Sequence, residues 1–412
     1  MRSKPIVPAA ALALFAATAL AAPPADAAKA PGGFSSDEVA AIAPLLKRYG
    51  VVAVSETDAR GEPTSMTLAI RVNASREKTF EVFEDPRNFY YISTLFKENK
   101  VLQEHDNSKA FSWASRHKLF SFTGRNTIAL FPPRRVDVRV VESTIGSGEF
   151  TVMLHEEDPE HTIVVVSGLL DVQTSEWLVR FLLGGNPSIR NAMNVAIGLV
   201  MTKGIKAMAE RIAAGEPLDK HRTRGRAGGK QRAIPPRHLR ALAPLLVRGQ
   251  VILSDSRKGG RLRQATVIEV VEAPASDVVN AISTPANYSK MIKAIDSIRV
   301  HQVTPPTLEF SWSIGLSVFS LTSRNRMTRI DDGLTVDALD GELKGARWRW
   351  QVVPTSKTRT VVAYHGFANI RRSTYILEKT VRREPYLEHG LLVGSNMVML
   401  RAIREGLEGR RL

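Results

Sequence analysis

The sequence predicts an α+β protein in which one domain occurs twice, each copy a curved antiparallel sheet covered by a long C-terminal helix. The duplication is visible in three motifs that recur along the 412 residues. Ala43-Pro44-Leu45-Leu46 recurs as Ala243-Pro244-Leu245-Leu246 at an offset of 200 residues. Two further motifs recur at an offset of 199: Phe111-Ser112-Trp113 as Phe310-Ser311-Trp312, and the seven residues from Phe120 to Asn126 as those from Phe319 to Asn325. Chance matches would not keep register in this way. A period of this length is that of a domain and not of a solenoid unit.

The order of elements in the first copy supports this fold class. Ser35 begins a capping pattern for a helix that ends near Tyr49, and apolar alternation predicts strands from Val51 and again from Met66. A second helix is expected at 75–84. The pattern between 101 and 172 is almost entirely that of strands separated by Pro and Gly turns, as in an antiparallel meander, and helical sequence follows at 174–183 and 187–213.

The second copy repeats this order. We expect helices at 236–248 and 275–283, a strand near 263–272, strands from 298 to 370, and a final helix from about 373 to 408. A single sheet cannot bury its concave face alone, so each long helix should cover one sheet. This arrangement predicts an elongated apolar cavity between sheet and helix.

The first residues have the pattern of a secretory signal peptide. Arg2 and Lys4 precede an apolar, alanine-rich run, and Ala-x-Ala sites follow. We expect cleavage after Ala27, with Ala21 as the alternative. The predicted organisation is a signal peptide at 1–27, a flexible lead at 28–34, a first domain at 35–214, a basic linker at 215–234 and a second domain at 235–412. The linker has no apolar periodicity, which favours a mobile, solvated hinge.

Composition restricts the compartment and the partners. The chain contains no cysteine, which excludes disulfides, thiolate metal sites and a cysteine nucleophile. Together with the signal peptide this predicts a periplasmic, or secreted, protein. The formal net charge of +16 suggests either a transient contact with an anionic membrane surface or merely a solvated basic surface. No basic helical stripe or aromatic-studded basic strand is present, so nucleic acid is not expected as a partner.

Several motifs resemble the START-like, helix-grip (SRPBCC) superfamily. Val72-Asn73-Ala74-Ser75, then Phe80 and Phe83, then Asp85-Pro86-x-x-Phe89, are matched in the second copy by Val271-Glu272-Ala273-Pro274, Val278 and Pro285-x-x-Tyr288. The stretch from Gly341 to Trp350 is similar to a strand pattern of the same superfamily, in particular of its polyketide cyclase/dehydrase and coenzyme-Q-binding members. The resemblance implies two tandem helix-grip domains. Because the superfamily contains lipid carriers, cyclases and other ligand binders, it does not fix the chemistry.

The candidate site consists of aromatic and methionine side chains that would line the cavity. The alternative is that they only pack the core. Methionine side chains are flexible and suit irregular apolar ligands. Strand alternation puts Trp348 and Trp350 on one face and the neighbouring Arg347 and Arg349 on the other. The candidates are Phe80, Phe83, Trp113, Phe120, Phe122, Met193, Ile197, Met201, Trp312, Phe319, Trp348, Trp350, Tyr364, His365 and Met397.

Polar candidates are few. Arg125 and Arg324 occupy equivalent positions and could bind an anionic head group, although strand parity favours an outward direction for both. His365 could act as an acid or base inside a cavity or be a hydrogen-bonded structural histidine. The cluster around His155 and His161 is interpreted as a solvated hairpin turn, because no helical metal-ligand spacing is present. We therefore expect no metal and no cofactor, and we assign no catalytic residue.

These observations predict an exported protein that carries a hydrophobic molecule, such as a lipid, a quinone, or a sterol-like or polyketide-like compound, between sheet and C-terminal helix. One alternative is an aromatase/cyclase-type enzyme acting on a polyketide-like chain. Another is a protein with one ligand-binding domain and one degenerate domain that binds a partner protein. The sequence makes no prediction about the oligomeric state.

Overall fold

The computed structural model of the chain describes residues 33–116, 121–172, 175, 187–292, 295–316, 319–373 and 375–409. The expected signal peptide, the helix predicted at 174–183 (apart from Ser175) and the candidate Phe120 lie outside the described residues. Repeat 1 (residues 35–214) contains α1 (Ser36–Tyr49), β1 (Val51–Thr57), β2 (Pro63–Val72), α2 (Arg76–Glu84), a 3-10 turn (Pro86–Asn88), α3 (Phe89–Ile92), β3 (Phe96–His105), β4 (Ser108–Arg116), β5 (Ser121–Phe131), β6 (Arg135–Ser143), β7 (Ser147–Asp158), β8 (His161–Asp171) and α4 (Pro187–Ala213).

Repeat 2 (residues 235–412) has the same succession of strands. It contains α5 (Pro236–Leu246), β9 (Gln250–Ser256), β10 (Leu262–Val271), α6 (Ala275–Ser283), α7 (Pro285–Met291), β11 (Ile295–Thr304), β12 (Thr307–Leu316), β13 (Phe319–Ile330), β14 (Gly333–Gly341), β15 (Arg347–Pro354), β16 (Thr360–Phe367), a 3-10 turn (Ile370–Arg372), α8 (Tyr375–Arg383) and α9 (Leu387–Leu407). The α+β class and the duplicated helix-grip architecture predicted from the sequence are confirmed.

The two repeats share one continuous antiparallel sheet. The strand order is β11-β12-β13-β14-β15-β16-β10-β9-β1-β2-β8-β7-β6-β5-β4-β3, so the two halves have the same topology and meet at their first strands. At this junction β1 pairs with β9 antiparallel, with Val52 opposite Leu253. The sequence predicted one sheet per domain. It did not show that the first strand of each repeat would cover the open edge of the other.

The central strands are buried on both faces. On the inner face, which we define as the face covered by the long helices α4 and α9, an apolar cluster runs through both repeats and includes Leu68 and Val267. On the outer face, α1 and α5 bury a second cluster that includes Val52 and Leu253. Strand parity explains the division, because successive side chains point to opposite faces.

The long helices α4 and α9 also pack against each other. Gly390 and Gly394 lie four residues apart on α9 and face Ala192 and Ala196 of α4. A Cβ added at Gly390 would lie 2.9 Å from the Cβ of Ala196, so only glycine permits this approach of the two backbones. The contact joins the two repeats on the inner face as β1 and β9 join them in the sheet.

Two local predictions need correction, and the first concerns the C-terminal helix. A single helix was expected from about 373 to 408, whereas α8 ends at Arg383 and α9 begins at Leu387. Pro385 lies in the gap. Proline disfavours helical geometry in the residue before it and has no N–H to donate, which accounts for the break.

The second correction concerns the linker, which is docked on both repeats. The Lys220 Nζ donates to the backbone oxygens of Ser93 and Phe96 at 3.0 and 2.8 Å. The next residue, His221, is 5% exposed, and its Nε2 lies 2.8 Å from Oε1 of Glu384. Polar contacts of this kind leave no periodic signal in a sequence, so the basic composition wrongly predicted a mobile hinge.

The end of the linker is fixed to the outer face of repeat 2. The Gln264 Oε1 accepts from the backbone N–H of Arg232 at 2.8 Å, and the Gln351 Oε1 accepts from that of Ile234 at 2.9 Å. Ile234 is 1% exposed and belongs to the outer apolar cluster. The linker thus forms part of the folded protein.

Candidate functional site

In each repeat, the candidate site is the inner face of the outer strands, where sheet and long helix oppose each other. Trp113 on β4 and Trp312 on β12 lie at equivalent positions of this face, 8% and 5% exposed. The Trp113 Nε1 donates to Oδ1 of Asn126 at 3.0 Å. In repeat 2 the Trp312 Nε1 donates to Oγ of Ser323 at 2.6 Å. Both indoles therefore have a hydrogen-bond partner on the next strand, as buried tryptophans require.

In repeat 2, large aromatic rings fill this face. Trp312 and Trp348 meet edge to face with ring centroids 5.8 Å apart, and Trp350 and Tyr364 lie 4.1 Å apart. Tyr288 of α7 packs on Trp312 at 6.2 Å, and burial raises the pKa of its phenol. Trp350 is only 1% exposed. Rings packed at these distances leave little room for a ligand.

Repeat 1 carries smaller side chains at the same positions. Phe150 pairs with Val138 as Trp348 pairs with Val336, which makes Phe150 the counterpart of Trp348. By the same register Val152 stands where repeat 2 has Trp350. The inner face of repeat 1 is consequently less filled at the centre of its outer strands.

The exposure of the two faces differs in the same sense. Four apolar residues of repeat 1 are half-buried, namely Phe122, Val138, Val140 and Phe150. Their counterparts in repeat 2 are all buried, at 8% for Leu321, 3% for Val336, 6% for Ala338 and 9% for Trp348. The inner face of repeat 1 is therefore reached by solvent where that of repeat 2 is closed.

The structure places most of the predicted cavity residues on the inner face, and many of them form its core. The buried ones are Phe80, Phe83, Trp113, Trp312, Trp348, Trp350, Tyr364 and Met397, and Phe122 and Met201 are partly buried against them. Met193 and Ile197 are half-buried on α4 outside both apolar clusters. Phe319 belongs to β13, and its side chain lies outside the described structure, as does the whole of Phe120.

His365 does not belong to this face. Along β16, Tyr364 joins the inner cluster while Ala363 joins the outer one, so His365 points outward. Its Nδ1 lies 2.9 Å from both Nε2 of Gln264 and Oγ1 of Thr266. Burial, followed by the charge of Arg349, lowers its pKa to about 3. It is a neutral, hydrogen-bonded histidine beneath the end of the linker, and an acid–base role inside the cavity does not fit this position.

The two arginines proposed for a head group are also on the outer face. Inner-face positions on β13 are held by Ser323 and Asn325, which puts Arg324 on the other side. Its guanidinium binds Oε2 of Glu309 at 2.8 Å and is half exposed. Arg125 is exposed at the equivalent position of β5. A head-group role within the cavity does not fit either placement.

Sequence reasoning missed the residues that distinguish the two repeats. Phe150, Val138 and Val140 carry no motif, and the motif-based offset of 199 ends before them. The strand pairing shows an offset of 198 in this region, because Phe150 corresponds to Trp348. A comparison of the two copies residue by residue with this changed offset would have identified the difference.

The inner face of repeat 1 can bind apolar groups but offers little for catalysis. At the centre of this face, from β5 to β7, the residues are apolar except for the amide of Asn126 and the hydroxyl of Ser143. The apolar ones are Phe122, Gly124, Ile128, Leu130, Val136, Val138, Val140, Gly148, Phe150, Val152 and Leu154. None of these side chains titrates near neutral pH. In the part of the chain that the structure describes, no group of three histidine, aspartate or glutamate residues could hold a metal ion. Nor does any helix there have the length and apolar character needed to span a membrane.

Comparisons with known proteins give fold neighbours only. No protein-family model and no curated protein sequence matches the chain. Among solved structures, the di-domain ARO/CYC StfQ from the steffimycin biosynthetic pathway is 13% identical with a TM-score of 0.31, covering 84% of this chain and 98% of its own. A STAR-related lipid transfer protein fragment from Xanthomonas axonopodis is 12% identical with a TM-score of 0.31, over 39% of this chain and 93% of its own.

A START superfamily protein from Mycobacterium smegmatis is 12% identical with a TM-score of 0.27, over 36% of this chain and 98% of its own. Scores of this size support no conclusion about activity. The site is therefore interpreted from its own residues.

Proposed function

We propose that the protein binds one hydrophobic molecule in repeat 1, between the inner face of β5 to β7 and the helix α4. The observation that carries this proposal is the contrast in exposure between equivalent positions, which are half-buried in repeat 1 and buried in repeat 2. Solvent-accessible apolar side chains on an otherwise buried face favour a ligand that removes them from water. Repeat 2 then serves as a filled scaffold.

Affinity would come from apolar burial and not from a specific polar contact. Each Å² of apolar surface removed from water contributes about 25 cal/mol, so a ligand that buries roughly 300 Å² of such surface gains about 7.5 kcal/mol before the costs of association. The indole N–H of Trp113 is already taken up by Oδ1 of Asn126. Selection should therefore depend mainly on the size and shape of the apolar ligand.

We further propose that the protein is exported from the cytoplasm. The basic start, the apolar run and the Ala-x-Ala sites support export, and the net charge of +16 would favour a transient contact with anionic phospholipid during ligand exchange. The intact mass of the protein recovered from the periplasmic fraction tests this. A mass that corresponds to cleavage after Ala27 is expected, and retention of the full N-terminus would contradict export.

The binding proposal is tested with the uncharged fluorescent probe N-phenyl-1-naphthylamine. Phe150→Trp installs in repeat 1 the residue that repeat 2 has at the same position. We expect it to weaken probe binding at least tenfold while the protein stays folded, because the larger ring occupies the accessible space. The matched control is Phe131→Trp, the same replacement at a half-buried position at the end of β5. Equal binding by wild type, Phe150→Trp and the control would contradict the proposal.

A further inference from the structure

A second feature of the molecule is a cleft of about 650 Å³ in repeat 2, away from the inner face of repeat 1. It is lined by Arg261, Asn369, Arg371, Arg372, Glu378 and Arg382. Arg261 lies in the turn before β10, and Asn369, Arg371 and Arg372 lie in or next to the 3-10 turn after β16. Glu378 and Arg382 lie on α8. The cleft is thus formed where the chain leaves the sheet toward the final helices.

The charges around the cleft do not balance. Arg261 and Arg371 share Glu388, whose Oε2 lies 2.9 Å from Nε of Arg261 and 3.7 Å from a terminal nitrogen of Arg371. Arg382 pairs with Glu378 at 2.6 Å. Among the described residues, Arg372 has no acidic partner within salt-bridge distance. Four guanidiniums therefore face two carboxylates, and the cleft holds an excess of positive charge.

Two buried polar atoms of the cleft also lack partners. The Nε–H of Arg371 and Oδ1 of Asn369 are both shielded from solvent, and neither has a hydrogen-bond partner among the described residues. A buried polar group without a partner destabilises the fold, so a ligand that turns these side chains toward the cleft and pairs with both atoms would gain binding energy. Burial and the neighbouring Arg261 and Arg382 lower the pKa of Arg371, as expected for a guanidinium held among like charges.

We propose that this cleft binds a phosphate group that carries or adjoins a hydroxyl. Guanidiniums bind phosphate oxygens through paired, charge-assisted hydrogen bonds, and the exposed guanidinium of Arg372 is free of acidic partners among the described residues and can make them. The Nε–H of Arg371 is shielded in the unliganded protein and joins them only when its side chain turns toward the cleft. Oδ1 of Asn369 needs a donor, which a carboxylate ligand cannot supply. A hydrogen phosphate, or a phosphate ester with a neighbouring hydroxyl, supplies both. The site is separate from the apolar face of repeat 1 and goes beyond the function proposed for it.

The experiment measures binding of three probes at constant ionic strength set with chloride. Inorganic phosphate and glycerol 3-phosphate, followed by calorimetry, test free phosphates. Phosphatidylcholine vesicles with and without phosphatidylglycerol, followed by co-sedimentation, test a lipid head group. We expect saturable binding of at least one of these phosphates. Binding only to the phosphatidylglycerol vesicles would assign the site to lipid, and binding to the free phosphates would assign it to soluble esters.

Arg371→Gln and Arg372→Gln should each weaken that binding at least tenfold. Arg372 is exposed, so its replacement leaves the fold intact even if that of Arg371 does not. The control is Arg329→Gln, which removes the same charge from an exposed position on β13. No binding of any phosphate, or equal losses in all three variants, would overturn the proposal. The uncharged naphthylamine probe should bind all three variants like wild type, so failure of this site is distinguishable from failure of the hydrophobic site.

Discussion

Single residues decide which repeat is open. The motifs identified Trp113 and Trp312 from the sequence as cavity candidates, and both lie in the inner apolar cluster. His365 shows where such reasoning ends. All eight residues of β16 are buried, so the strand has no polar side from which its orientation could be deduced. From the sequence, His365 was placed in the predicted cavity because it is next to Tyr364, but adjacent residues of a strand point to opposite faces.

The buried, neutral state of His365 predicts a pH dependence of stability. Its pKa is about 3 in the folded protein and near 6.5 when unfolded. Below 6.5 the unfolded chain binds a proton that the folded chain does not, so the free energy of unfolding falls by up to roughly 1.4 kcal/mol per pH unit until the pH nears 3. His365→Gln should remove this contribution. Urea unfolding between pH 7 and pH 4 measures it, with His105→Gln at an exposed position as the control. An unchanged pH slope in His365→Gln would contradict the assignment.

At the scale of elements, the turns between the first two strands are tied to the long helices by the same ion pair with its charges exchanged. In repeat 1, Glu62 before β2 binds Arg190 of α4. In repeat 2, Arg261 before β10 binds Glu388 of α9 at 2.9 Å. The contact needs opposite charges but not a particular direction, which explains why the sequence comparison gave no sign of it. It also explains why the duplicated helices keep the same position on the sheet.

This exchange predicts a charge-reversal rescue. Arg190→Glu alone places two carboxylates together at a largely buried site and should lower the free energy of unfolding by about 3 kcal/mol. The double variant Glu62→Arg with Arg190→Glu recreates the arrangement of repeat 2 and should recover most of this loss. Chemical denaturation of the two variants and wild type provides the double-mutant comparison. A double variant no more stable than Arg190→Glu would show that the contact is not equivalent in the two repeats.

For the whole molecule, the sequence predicted two domains joined by a hinge, and the structure has two repeats joined in three ways. β1 pairs with β9, α4 packs on α9, and the linker binds both repeats through Lys220 and His221. None of these contacts follows from the periodicity of one repeat, because each depends on how the copies meet. The fold of each copy was predictable from the sequence, whereas the contacts that join the two copies were not.

A continuous sheet predicts cooperative unfolding. Calorimetry of the protein should show one transition with equal calorimetric and van't Hoff enthalpies, because neither repeat can unfold without exposing the strand edge and the helix face of the other. Two resolved transitions would show that the repeats are thermodynamically independent despite their shared sheet.

The central claim is that one repeat holds a hydrophobic ligand while the other is filled. Native mass spectrometry of the protein purified without denaturation from its native source, and again after incubation with total membrane lipids, tests it most directly. We predict one apolar molecule bound per chain in the wild-type protein and none in Phe150→Trp. Two molecules per chain, none under either condition, or one retained by Phe150→Trp would contradict the claim.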